Sequence, residues 1–297
     1  MHQRGISWNV LAPRVKELRE TVYLLNKNKL TKLAVIVIGV LIFIAAFSPW
    51  LAPYPTHIML DTNPQDKLLP PSAEYFFGTD ELGRDIFSRV LFGTRISLNT
   101  ALLAVGISML IGIPLGAIAG ASEWYIDESI MRITDIFLSF PNLLLAIVIA
   151  ATLGPSLQNA IIAIAVSWWP WYTRIVRGQA ISLRERQFVK AAQAIGTPHY
   201  KIVFRHIIPN CVAPVIVQAS MDVGGVILTI AALSFLGLGA QAPTPEWGLM
   251  INTSRTYFLT AWWYSFFPGI AIFVSVLVFN LLGDGLREVL DPKTRKK

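Results

Sequence analysis

Few side chains in this sequence sit where they could do chemistry, and their spacing removes most kinds of site. The four histidines, His2, His57, His199 and His206, show no metal-ligand spacing, and no HExxH occurs. Cys211 is the lone cysteine, which excludes a disulfide framework and a cysteine metal cluster. No serine, histidine and aspartate fall together in a plausible soluble site, and no phosphate-cradling GxxxxGK[ST] is present. The chain is therefore expected to hold no metal and no ATP of its own. Any energy input must come through a partner.

Two features remain. Asp222 lies inside an apolar stretch, 13 residues past Pro209, or roughly 20 Å along a helix. A carboxylate at that depth is costly and faces a wet cavity or a partner. Both readings stay open: a pathway-facing acid, or a structural pair at a subunit contact. Asp135 reads as an interfacial residue. The second feature is the segment from Arg186 to Pro209. Its first half has strong helix formers, with Phe188, Ala191, Ala192 and Ile195 on one face at i, i+3, i+4, i+7 spacing. Gly196 suits the stop, and Thr197-Pro198 suits the cap and first position of a second helix that carries Lys201 and Arg205 and ends at Pro209. A helix, a glycine stop and a second helix would present a small apolar face, either to a partner or to lipid headgroups.

The elements that must position these residues follow from composition. Of 297 residues, 54% are apolar and 14% charged, against roughly 25% charged in an ordinary soluble domain. That excludes a cytosolic globule and a disordered chain. The apolar residues sit in long charge-free blocks. Lys32 and Asp61 bracket 28 residues, Arg95 and Glu123 bracket 27, Asp135 and Arg174 bracket 38, and Arg255 and Asp284 bracket 28. A spanning helix needs about 20. The 38-residue block therefore reads as a helical hairpin turned at Gly154-Pro155-Ser156, and the region around Asp222 reads as one long helix. The total is six transmembrane helices in an all-α integral membrane protein, near 33–52, 96–120, 134–153, 157–173, 208–236 and 264–282.

Orientation follows from lysine and arginine. With six spans, one side holds residues 1–32, 122–133, 174–207 and 283–297, with twenty basic residues; the other side holds five. Both termini are thus expected in the cytoplasm. The net charge of +7 is topological, and no nucleic acid is expected as a partner. Trp168, Trp169, Trp171 and Tyr172 fall at one expected interface and Trp262, Trp263 and Tyr264 at the other. The leader is too long for a cleaved signal, so the first span reads as a signal-anchor. Asp85, Ile86, Phe87, Arg89, Val90 and Leu91 suggest a short amphipathic helix lying on the membrane before the second span. Gly112, Gly116 and Gly120 have helix-packing spacing.

The run Lys190-Ala191-Ala192-x3-Gly196, followed by Ile207-Ile208-Pro209, resembles the cytoplasmic signature loop of ABC importer permeases. Their pattern begins Glu-Ala-Ala, and this chain has Lys190 at the acidic position. Gly78-Thr79-Asp80-Glu81-Leu82-Gly83-Arg84-Asp85 resembles the outer segment of the dipeptide/oligopeptide/nickel importer permeases. Ala232-Leu233-Ser234-Phe235-Leu236-Gly237-Leu238-Gly239, with Pro243-Thr244-Pro245-Glu246-Trp247-Gly248, resembles their outer loop after the fifth helix. Phe279-Asn280-Leu281-Leu282-Gly283-Asp284-Gly285-Leu286-Arg287, with Leu290-Asp291-Pro292, resembles their C-terminal end. The resemblance runs from about residue 27 onward and is to the C-type permease.

It implies the ABC type I importer permease fold, with a 1–32 cytoplasmic leader, a 33–52 first span and a 53–95 extracytoplasmic loop. A 96–283 core of five spans would follow, with a cytoplasmic coupling loop at 174–207 and a 284–297 cytoplasmic tail. It implies a prokaryotic inner-membrane location, a second, unlike permease, two ATPase subunits that bind ATP and magnesium, and an extracytoplasmic solute-binding protein. Phe188, Ala191, Ala192, Ile195, Gly196, Arg205 and Pro209 would couple to the ATPases; the reading of Asp222 as a translocation-pathway residue rests on its depth in the helix, since the resemblance does not supply an acid there. The segments 78–89 and 243–248 would contact the binding protein. Transport would proceed by alternating access, with dipeptides, oligopeptides, nickel or oligosaccharides as cargo. An ion-driven secondary transporter is the alternative from another class, but no clear internal repeat appears and only one central acid. A non-transporting membrane scaffold would leave the organised 186–208 segment without a role.

Overall fold

Long apolar runs in lipid leave the backbone no hydrogen-bond partner but itself, so they fold as helices. The computed structural model, which describes residues 28–58 and 61–290, is all helical apart from turns, short 3₁₀ segments and one isolated bridge between Thr79 and Asp85. Most of the expected leader and the end of the expected tail lie outside the described residues. Nine helices are described: α1 Lys29–Leu51, α2 Ile86–Ala121, α3 Trp124–Leu138, α4 Asn142–Leu153, α5 Leu157–Arg184, α6 Gln187–Ala194, α7 His199–Phe235, α8 Trp247–Ser254 and α9 Trp262–Leu290. The centre of the bundle is α2 against α5 and α7 against α9, with α1 packed on α2 and α9.

The α2–α5 seam has a simple cause. A methyl group at Gly112, Gly116 or Gly120 would stand 2.6, 2.4 or 2.6 Å from the carbonyl oxygens of Trp169, Thr173 and Arg177. Hydrogen in place of Cβ lets the two backbones touch along three turns, as the glycine spacing predicts. Gly224 faces α9 more loosely, and Gly225 meets open space.

Four helices are long and apolar enough to cross a bilayer, or five if α3 and α4 count as one bent span. Six were expected, and α5 is the difference. At 28 residues it is roughly 42 Å long, but its Trp, Pro, Tyr and Arg residues make it too polar to be recognised by composition. Helices α2, α4 and α7 pack around it, so protein rather than lipid meets much of its surface.

Four expectations need correction. The 134–153 span is not one helix: α3 and α4 meet at 87° around Pro141, because proline lacks an N–H and disfavours helical geometry at Phe140. Residues 85–91 are not a separate helix on the membrane; they are the capped start of α2, with Ile86 and Arg89 buried. The fourth span does not stop at residue 173. It runs to Arg184, because Arg174 and Arg177 are neutralised by Asp135 and Asp127 on α3, and Arg184 donates to the Ser122 carbonyl. Pro209 does not end a helix either. A π turn at Val203–Ile207, in which the Ile208 N–H reaches the Val203 carbonyl, absorbs the proline, and α7 runs unbroken from His199 to Phe235.

Candidate functional site

The elbow is built by a glycine. Gly196 has φ +76°, a backbone angle that side-chain-bearing residues rarely adopt. There the chain leaves α6, with the Gly196 N–H on the Gln193 carbonyl at 2.9 Å and the Thr197 N–H on the Ala192 carbonyl at 3.0 Å. These bonds satisfy carbonyls that the helix end would leave open. The chain then re-enters helix at His199.

The structure divides the expected docking residues into two sets. Phe188, Ala191, Ile195, Gly196, Arg205 and Pro209 are exposed, Ile195 at 83%. Ala192 is not on that face. It is buried with Val189, Ile202, Val203 and Ile207, and these side chains anchor the elbow to the bundle. Tyr200 and Phe204 extend the exposed apolar surface; their aromatic character was the available signal, and sequence reasoning missed it. It also missed Glu185. Lys190, which stands where the related pattern has an acid, makes a 2.9 Å ion pair with Glu185. That bond holds the exposed Glu185 carboxyl below its ordinary range.

Asp222 lies on α7 beside a cavity of about 460 Å3, which Ile175 of α5, Gln218 and Met221 of α7, and Arg287 of α9 help to line. Asp222 itself does not line it. Its Oδ1 accepts from Gln218 at 2.9 Å, and its buried Oδ2 has no hydrogen-bond partner among the described residues. The Tyr172 hydroxyl of α5 is likewise buried without a hydrogen-bond partner among the described residues. Gln218 thus stands between the acid and the cavity.

At the far end of α2, segments 61–85 and 237–261 form a cap. Asp80 is fully buried, takes the Arg84 Nε at 2.7 Å, and accepts the Leu82 and Arg84 N–H groups on its other oxygen. Trp247 is fully buried and donates to the Val90 carbonyl at 3.1 Å. Glu246 caps α8 through the N–H groups of Gly248 and Leu249; burial pushes its carboxyl above the ordinary carboxylate range, with the hydrogen bonds opposing. Burial also raises Asp85, the α2 cap, against its bonds to Ser88. Cap and elbow lie at opposite ends of the bundle. The Ser122 hydroxyl just past α2 lies 3.4 Å from the His199 ring nitrogen at the elbow, while the cap packs on the first turns of α2. The 36 residues of α2 separate them by roughly 50 Å.

Comparison with known proteins gives this arrangement a class. Residues 112–296 match the family described as binding-protein-dependent transport system inner membrane component, and residues 18–71 match the N-terminal transmembrane domain of oligopeptide transport permease C. The chain belongs to the first family: it is a multi-pass inner-membrane permease subunit of an ABC importer, a membrane component rather than an enzyme. Within that class it falls among the C-type permeases of dipeptide, oligopeptide and nickel systems. It is 50% identical over 281 residues to a dipeptide transport system permease protein of Alkalihalophilus pseudofirmus, covering 95% of this chain and 91% of the relative. It is 42% identical to the nickel transport system permease protein of Escherichia coli, covering 91% and 96%. A solved structure of the MetNI methionine ABC transporter in inward-facing conformations shares the fold, with a TM-score of 0.54 at 18% identity, over 68% of this chain and 96% of that one.

Proposed function

We propose that this chain moves dipeptides or short oligopeptides across the cell membrane by alternating access, driven by ATPase subunits that grip the elbow at 186–208. A second, unlike permease completes the path, and a solute-binding protein delivers cargo to the cap. ATP and magnesium are bound by the ATPase subunits. Both termini and the elbow lie in the cytoplasm, a placement that the basic-residue asymmetry supports.

The observation that carries this reading is the build of the elbow. Its outer face is apolar and exposed at Phe188, Ile195, Tyr200 and Phe204, its inner face is locked into the core, and its second half, from His199, is the unbroken start of α7. A push on α6 therefore reaches the helix that bears Gln218 and Asp222 as a rigid-body motion. ATP binding would rock α7 and open the membrane cavity outward; hydrolysis would reset it. Gln218 and Asp222 would line the path once the cavity opens.

Ala191 is exposed and Ala192 is buried, which makes the test internal. Ala191→Arg should leave the chain folded, and should abolish ATPase association in a pull-down and ATP-driven dipeptide uptake in proteoliposomes. If association and uptake both survive, the coupling assignment is wrong. Ala192→Arg should instead lower the amount of folded chain.

A further inference from the structure

The cap carries a half-open cavity of about 310 Å3 walled in part by Glu81, Leu82, Arg84, Arg89 and Thr253. Arg84 and Arg89 are only 5% and 3% exposed. A buried guanidinium is costly unless it is paired and hydrogen-bonded. Arg84 is paired through its Nε with Asp80 at 2.7 Å, but its Nη2 stands 3.7 Å from Glu81, outside hydrogen-bond reach. Glu81 is held on its other oxygen by the Tyr264 hydroxyl.

Arg89 has no carboxylate in hydrogen-bond contact among the described residues. It donates to the carbonyls of Ile58 at 2.8 Å, Pro243 at 3.3 Å and His57 at 3.5 Å. Its Nε lies 3.6 Å from Asp80 and makes no hydrogen bond. Asp80, already filled by Arg84 and two backbone donors, has little left to offer it. Both Nη groups of Arg84 are without a hydrogen bond among the described residues, and Arg89, whose unpaired Nε is itself buried, keeps one Nη2 hydrogen beyond its carbonyl bonds; these donors in one wall suit a carboxylate. Glu81, whose side chain is 20% exposed, offers the opposite charge in the same cavity.

We propose that this cavity binds a small zwitterion of dipeptide size, its carboxylate on Arg84 and Arg89 and its ammonium on Glu81. A volume of about 310 Å3 lies at the lower end of the range for small-molecule sites, which matches a ligand of dipeptide size. The inference rests on the peptide-import reading and narrows it: the favoured cargo is a short peptide with free termini, held at the cap before it enters the membrane path.

The experiment uses the whole importer assembled on this chain, in lipid nanodiscs without binding protein, with radiolabelled dialanine as probe. Dialanine should bind, and dialanine amide should compete at least roughly tenfold more weakly, the loss expected for charge-assisted hydrogen bonds. Leu82→Trp, at a cavity residue that is 41% exposed, fills the space without removing a charge and should weaken binding by a similar factor. No binding to the unaltered complex, equal competition by the amide, or undiminished binding in Leu82→Trp would each overturn the proposal. Should that variant fail to assemble, the comparison of dialanine with its amide on the unaltered complex decides alone. ATP-driven dialanine uptake with binding protein present is read in parallel. Uptake without cavity binding removes the cavity site and leaves the import reading intact, whereas cavity binding without uptake does the reverse.

Discussion

Glu246 shows how a single carboxyl can set a pH dependence. It is 1% exposed and caps α8 with two backbone N–H groups. Burial raises it above its ordinary value of 4.5, so the folded state favours the protonated form. Its contribution to stability is then fully present below about pH 4.5 and is lost as pH rises through the raised folded value. Glu246→Gln keeps a cap oxygen and removes the titration. The thermal midpoint of the wild type, relative to that variant, should fall as pH is raised from 4.5 toward neutrality; a difference that stays flat or grows would contradict the burial argument. The residue itself stood in plain view in the 243–248 motif. Its burial did not, because Glu246 sinks into the cap only when that loop folds back over the first turns of α2. Asp222 is the complementary case. Its place inside a long apolar helix could be read from chain position, but the cavity beyond Gln218 could not, since α5, α7 and α9 form it together.

Among the elements, the α2–α5 seam makes the sharpest demand on sequence. A methyl group at Gly116 would sit 2.4 Å from the Thr173 carbonyl, and backbone on both sides leaves little room to yield. Gly116→Ala should destabilise the chain by about 1–3 kcal/mol, the usual cost of overpacking, seen as a lower thermal midpoint in detergent. Gly178→Ala on α5, where a methyl group meets open space, should be neutral or stabilising by up to about 1 kcal/mol from helix propensity alone. If the two variants behave alike, the close contact is not what the seam requires. The glycine spacing announced this contact before any partner helix was known. The helix ends were harder to place. Charged residues at 174, 177 and 184 look like the end of a span, yet acids on α3 and a free carbonyl at Ser122 neutralise or satisfy them, and α5 runs on. Pro209 looks like a stop, yet the π turn before it keeps α7 whole. The end of α5 was settled by groups far away in sequence, and the passage through Pro209 by the turn just before it.

At the scale of the molecule, α2 holds the cap and the elbow roughly 50 Å apart, on opposite ends of the bundle. If the elbow is cytoplasmic, Ile195→Cys, at a site 83% exposed, should resist a membrane-impermeant thiol reagent in sealed right-side-out vesicles and react fully once they are opened. Labelling of intact vesicles would invert the topology and remove the ATPase contact with it. The native Cys211 is fully buried and should add little background. The sequence alone determined that the chain is a helical membrane protein, which side its basic residues favour, and where a glycine-stopped elbow must lie, because these depend on local composition, charge count and backbone freedom. Only the tertiary structure decided which face of the elbow is free, how far α2, α5 and α7 extend, and that two arginines distant from the elbow share one cavity. The reason is physical: burial and ion pairing are properties of surfaces brought together, and a charge that ends a helix in water can continue one when a neighbouring helix supplies its partner.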